Sequence, residues 1–296
     1  MAKYITPAVT PLNRDGTLDV EGAKTLYEHL IAGGVNGILI LGSIGEFFAL
    51  SMEIKKQLIS LAVKQVAHRV PLIVGTADMQ VENVLSLSKF ALNEGADAVI
   101  VVPPYYFSLN GGSIETYYDM LASRINGKLY IYNFPDRTGY SIPVDVIACL
   151  AQKHLNIIGC KDTLSGMDHT RELIKAVKPL RPDFEVFSGF DDNFVHNILS
   201  GGDGCIGGMS NLVPELTSKW VQTVEEKNME SVSQIQQKID RMMTIYSVGM
   251  PFVPYIKRAM EICGIGIQSY STFPQPIVTA EADKKLLKIL QSEGLV

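Results

Sequence analysis

The chain has 296 residues, of which 47% are hydrophobic and 19% charged, with a formal net charge of −5. The length allows one large α/β domain or two smaller ones, and the apolar share supplies a sizeable core. The mildly acidic balance contains no basic block, so neither nucleic acid nor an anionic membrane is an expected partner.

No apolar run is long enough to span a membrane. The start, Met1 to Pro7, lacks both a secretory hydrophobic segment and a transit-peptide composition, so a cytoplasmic location is expected. The four cysteines, Cys149, Cys160, Cys205 and Cys263, form no CxxC pair, and the five histidines are scattered. Buried thiols and no metal site are the expectation.

In chain order the sequence alternates short apolar runs with amphipathic stretches. A strand is predicted over 4–9 and a helix over 20–32. The next strand, 37–41, leads into Gly42-Ser43-Ile44-Gly45-Glu46-Phe47 and a helix over 51–67 opened by Ser51. Two glycines let that turn present backbone N–H groups, which suits a carboxylate, although a plain strand-to-helix turn explains them equally well. There is no Gly-Lys-Ser/Thr, and Glu46 would repel a polyphosphate.

Strand 72–74, helix 81–93 and strand 98–102 follow, the last ending in Pro103-Pro104-Tyr105-Tyr106 ahead of helix 113–123. Paired tyrosines after prolines can be simple packing. Strand 129–132 ends in Tyr132-Asn133-Phe134-Pro135, with Arg137 and Gly139 beyond it and helix 143–153 after them. Tyr130 and Tyr132 share a face by period-two alternation, so at least one should point inward.

Strand 157–161 ends on Lys161, 29 positions after Tyr132, and helix 167–178 follows. Alternation sends Asp162 to the other side of the strand and returns Thr163 to the side of Lys161. A rim lysine is the plain alternative. An amine held at an apolar strand end can lose its proton through desolvation and attack a ketone, and a nearby phenol can move the protons that follow.

Strand 185–187 runs into Ser188-Gly189-Phe190-Asp191-Asp192 and helix 193–199. The two acids could bind sugar hydroxyls or cap that helix. Strand 204–206 leads to Gly207-Gly208, a position that could hold a phosphate were it not for the acids nearby. Beyond about residue 225 only helices are expected, over 234–245, 253–262 and 282–291.

Eight strands alternating with helices fit a closed (β/α)8 TIM barrel over 1–224, with a C-terminal helical extension over 225–296. No GxGxxG follows the first strand, which weakens a dinucleotide-binding alternative.

Taken together, GSIGEF at 42–47, PYY at 104–106, YNFP with Thr138-Gly139, and GCKDT at 159–163 resemble the dihydrodipicolinate synthase/N-acetylneuraminate lyase family of pyruvate-dependent class I aldolases. The resemblance runs over nearly the whole chain. It implies a Schiff base between Lys161 and a 2-keto acid, with no metal or organic cofactor. It makes Tyr132 the proton shuttle, relayed by Ser43 and by Tyr106 across a subunit interface. Backbone at Ser43 and Ile44, with Gly45 and Glu46 of the same loop, would hold the keto-acid carboxylate. Arg137, Thr163, Gly189, Asp191, Asp192 and Ile206 complete the implied substrate contacts. A homotetramer is also implied.

Within the family, the Gly189-Phe190-Asp191-Asp192 spacing and PFVPYIKRAMEICG look most like 2-keto-3-deoxygluconate aldolases. Such an enzyme would reversibly cleave a 2-keto-3-deoxy sugar acid to pyruvate and an aldehyde. Arg137 points instead toward a 4-hydroxy-tetrahydrodipicolinate synthase condensing pyruvate with aspartate semialdehyde, where an arginine grips the second carboxylate. An N-acetylneuraminate lyase and a non-catalytic keto-acid-binding protein are the further alternatives.

Overall fold

The structure is a computed structural model describing residues 1–296. Its strands are β1 (Lys3–Pro7), β2 (Ile38–Ile40), β3 (Leu72–Gly75), β4 (Ala98–Val101), β5 (Leu129–Asn133), β6 (Ile157–Asp162), β7 (Glu185–Ser188) and β8 (Gly204–Ile206). They form a closed barrel in sequence order, and the described ladders are parallel. This is the (β/α)8 fold expected from the alternating pattern. Short Val/Ile-rich strands such as β4 are buried on both faces, as parallel strands covered by helices must be.

The helices are α1 (Val20–Ala32), α2 (Met52–Val66), α3 (Val81–Glu94), α4 (Gly111–Arg124), α5 (Pro135–Thr138), α6 (Val144–Lys153), α7 (Asp168–Val177), α8 (Phe194–Leu199), α9 (Pro214–Glu225), α10 (Met229–Met242), α11 (Val253–Ile262) and α12 (Ala280–Ser292). Side-chain caps start several of them. Asp19, Ser51, Asn110, Asn228 and Thr279 each accept from a backbone N–H in the first turn. No helix is long and apolar enough to cross a membrane.

Helix α9 has no counterpart among the predicted elements. Its buried face mixes Trp220 and Val221 with Thr217 and Thr223, and those hydroxyl residues blunt the apolar period that marks the other helices. Inside the helix both threonines bond back to nearby carbonyls, Pro214 and Trp220 respectively, each at 2.9 Å. Helix α10 starts earlier than predicted because Asn228 caps it.

The chain divides into two compact units. One comprises Met1–Lys3 and Ile73–Gly207 and carries β4 to β8 with α3 to α8. The other comprises Tyr4–Leu72 and Gly208–Val296 and carries β2, α1, α2 and α9 to α12.

In the first unit the β5/β6 ladder contains an irregularity. Leu129 pairs with Ile157, but Tyr130 pairs with Gly159, so Ile158 is an extra residue in β6. Beyond it Tyr132 pairs with Lys161 and Asn133 with Asp162. A straight register from Leu129 would have set Tyr132 against Cys160 instead.

Candidate active site

The first unit brings Lys161 and Tyr132 together at the carboxyl ends of β6 and β5. Both are 4% exposed, and the lysine Nζ lies 4.6 Å from the centre of the tyrosine ring. The adjacent acid does not pin the amine. Asp162 faces away and accepts from Asn133 Nδ2 and Thr170 Oγ1, each at 2.7 Å. His169 Nδ1 is 3.0 Å from the same carboxylate, while its Nε2 is 2.9 Å from the Ile142 carbonyl. Both ring nitrogens thus face acceptors, which favours the doubly protonated ring. Burial pulls the His169 pKa down, but the bond to Asp162 and its charge outweigh that and raise it. Asn133 also accepts from Ile142 N at 3.0 Å, tying the end of β5 to the following loop.

Thr163 returns to the lysine side of the chain. Its backbone N–H donates to Asn133 at 2.9 Å, and its buried hydroxyl has no hydrogen-bond partner in the protein. Such a group is satisfied by water or by a ligand. Gly189 is packed so closely on Thr163 that any Cβ there would overlap the threonine side chain.

An aromatic wall continues from Tyr132. Phe134 stacks on it at 5.8 Å and 21°, and Phe190 meets Phe134 edge-on at 6.2 Å. The Arg137 guanidinium lies 5.2 Å from the Phe134 ring with its side chain exposed. Asp191 is buried and Asp192 exposed, both in a short 3-10 turn, Asp191–Asn193. Neither acid is a cap residue, since Phe190 precedes that turn and Asn193 precedes α8. Ile206 is buried at the end of β8. The Cys205 thiol donates to the Phe190 carbonyl at 3.3 Å, and burial pushes its pKa well up, so it is an inert thiol. Tyr106 lies apart from this packing, 80% exposed, with Phe107 edge-on at 5.0 Å.

In the second unit the loop after β2 carries Ser43, Ile44, Gly45 and Glu46. Leu41 (φ 56°) and Glu46 (φ 60°) bracket it, both in the left-handed region that side-chain-bearing residues avoid. Thr10 Oγ1 donates to the Gly45 carbonyl at 2.7 Å. Glu46 differs from the direct substrate contact expected of it, because its buried carboxylate already has its partners. It accepts from Lys257, from Thr272 N at 2.7 Å and Oγ1 at 2.8 Å, and from Gln275 Nε2 at 2.6 Å.

Lys257, Thr272 and Gln275 lie more than 200 positions from Glu46 and have no place among the residues singled out by sequence. One signal marks Lys257: it sits on the apolar stripe of α11, four residues after Val253 and three before Met260. A lysine at such a position needs a buried partner. No group of three or more His, Cys, Asp or Glu side chains is assembled so as to hold a metal ion.

Residues 1–293 match the model of the dihydrodipicolinate synthetase family. The chain is 32% identical over 292 residues to a probable 2-dehydro-3-deoxy-D-pentonate aldolase, YjhH, of Escherichia coli K12, covering 99% of this chain and 97% of that one. It is 31% identical over 287 residues to a putative 2-dehydro-3-deoxy-D-gluconate aldolase, YagE, of the same organism, covering 97% and 95%. The crystal structure of YagE in complex with pyruvate superposes with a TM-score of 0.97 at 31% identity, covering 100% of this chain and 99% of that one.

Proposed function

Since this chain belongs to the dihydrodipicolinate synthetase family, whose members form a lysine Schiff base with pyruvate without a metal, we propose that it reversibly cleaves a 2-keto-3-deoxy sugar acid, such as 2-keto-3-deoxygluconate, to pyruvate and an aldehyde. It is a pyruvate-dependent class I lyase. The observation that carries the reading is the buried Lys161 amine lying over the Tyr132 ring, with both residues in register at adjoining strand ends.

In this reading the Lys161 amine attacks the C2 ketone, the Tyr132 hydroxyl gives its proton so that the C2 oxygen leaves as water, and the resulting protonated imine becomes an electron sink. Tyr132, as phenolate, takes the proton of the C4 hydroxyl. The C3–C4 bond then breaks, its electron pair enters the imine to give an enamine, and the aldehyde departs. Protonation of the enamine at C3 and hydrolysis release pyruvate and restore the amine. Holding these groups together contributes several kcal/mol of the roughly 7–11 that orientation can supply.

Ser43 acts as a hydroxyl relay to Tyr132, and the backbone of Ser43, Ile44 and Gly45 receives the keto-acid carboxylate. Glu46 serves that loop through its side-chain anchors. Thr163, Asp191 and Asp192 take sugar hydroxyls, the orphan hydroxyl of Thr163 being the most direct support. Gly189 and Ile206 shape the floor by close packing. The enzyme works as a cytoplasmic homotetramer, with residues 1–224 as catalytic barrel and 225–296 as helical extension. The exposed Tyr106 and Phe107 pair supports assembly, with Tyr106 entering the relay of a neighbouring copy.

One observation favours a second reading. Arg137 holds an exposed guanidinium beside the aromatic wall, where it could grip the carboxylate of aspartate semialdehyde, as in a 4-hydroxy-tetrahydrodipicolinate synthase. Turnover decides between them. Pyruvate release from 2-keto-3-deoxygluconate and its pentonate analogue supports the aldolase, and efficient condensation of pyruvate with aspartate semialdehyde alone reverses the ranking.

A further inference from the structure

The Glu46–Lys257 ion pair of the second unit is completely buried on both sides, and the reaction sequence makes no use of it. Lys257 also donates to the Tyr270 carbonyl at 2.8 Å. Four donors therefore converge on one carboxylate from α11 and the segment after it: the amine, the Thr272 N–H and hydroxyl, and the Gln275 amide. The residue they hold is in the left-handed region, at the end of the loop whose other end, Leu41, is equally strained. Strained positions persist only where their surroundings over-determine them, and here the surroundings are the C-terminal segment. Within the loop itself Glu46 N donates to Ser43 O at 3.2 Å, and the side-chain anchors from the C-terminal segment add to that turn bond.

Charge gives the arrangement a second consequence. Ser43 and Ile44 lie three and two positions before Glu46. An unpaired carboxylate so close to an anion site would repel a keto acid, and Lys257 cancels it. Burial nonetheless disfavours the ammonium and lowers its pKa, so the pair is sustained by Glu46 itself.

We propose that Lys257, Thr272 and Gln275 are positioning residues that hold Glu46 and neutralise it, so that the Ser43–Ile44 backbone is set for, and electrically open to, the substrate carboxylate. This rests on the functional reading above. It makes the segment after β8 part of the substrate-binding apparatus, although no residue of it need touch the keto acid.

Borohydride trapping of the protein over a series of pyruvate concentrations separates binding from chemistry. A unit charge about 10 Å away at an effective dielectric of about 20 changes anion binding roughly tenfold. Lys257→Met should accordingly raise half-saturating pyruvate about tenfold, while maximal trapping stays within about threefold. The paired variant Glu46→Gln/Lys257→Met should recover at least part of that loss, which a purely structural role for the lysine does not anticipate. Unchanged half-saturation in a folded Lys257→Met, or a paired variant weaker than the single one, overturns the proposal.

Should Lys257→Met fail to fold, Thr272→Val and Gln275→Leu each remove one donor. Either should raise half-saturation about two- to fivefold, the size of a lost hydrogen bond. Normal binding in both overturns the proposal equally. A wild-type chain that traps no pyruvate on Lys161 refutes the functional reading instead, and the two failures are thereby told apart.

Discussion

Tyr132 and Asp162 illustrate what single side chains contribute. Tyr132→Phe keeps the ring that lies under Lys161 and stacks on Phe134, but removes the only group assigned to the C4 proton. Aldol cleavage should fall by about 10²–10⁴-fold while pyruvate is still trapped on the lysine, and comparable cleavage by the variant would reassign the base. Asp162 holds its neighbours rather than the substrate, and His169 makes its contribution depend on pH. The folded-state pKa of His169 is raised above 6.5, so its stabilisation is fully present below that value and is lost as pH rises through the raised one. Urea midpoints of wild type and His169→Gln should differ most near the acid end of a pH 5.5–9 series and converge toward the alkaline end. A gap that widens with pH contradicts this assignment.

The element that aligns the site is the irregular β5/β6 ladder. Its extra residue shifts Tyr132 from Cys160 onto Lys161, and Gly159 makes the shift possible. A Cβ on Gly159 would come within 2.6 Å of the Glu185 carbonyl and 2.7 Å of the Tyr130 ring. Gly159→Ala should therefore cost about 1–3 kcal/mol in urea unfolding through overpacking. It should also lower turnover by about a hundredfold, because it displaces one reacting strand end by a fraction of the pairing step. Normal turnover in a destabilised variant would show that register is not what aligns the pair. The periodic pattern revealed that both residues sit at strand ends, and alternation correctly separated Lys161 from Asp162. It could not reveal a one-residue slip between strands, which depends on packing at Gly159. The Glu46 anchors were hidden for a similar reason, since a helix prediction for 253–262 says nothing about a partner over 200 positions away. A lesser defect is plain in the backbone. Ala67 closes α2 at φ 48°, exposed and left-handed, so Ala67→Gly should add about 0.5–1 kcal/mol to stability, read as a raised urea midpoint.

Across the whole molecule, the alternation of short buried strands with capped amphipathic helices made the barrel legible, all eight strands included. Helix α9 escaped because threonines stand on its buried face. Assembly is governed by surface rather than by period. The exposed Tyr106 and Phe107 rings are costly to leave in water, and the proposed homotetramer covers them. Sedimentation at four times the 32.5 kDa chain mass is expected, and Tyr106→Ala should lower turnover even where the assembly survives. A monomer with full activity removes Tyr106 from the relay. The chemistry itself rests on a covalent bond to one amine, and that bond can be weighed. Incubation with pyruvate and borohydride, followed by digestion and mass spectrometry, should find a pyruvate-derived addition on the peptide containing Lys161, absent from Lys161→Ala. An unmodified Lys161 in a protein that still releases pyruvate from the sugar acid would falsify the Schiff-base mechanism.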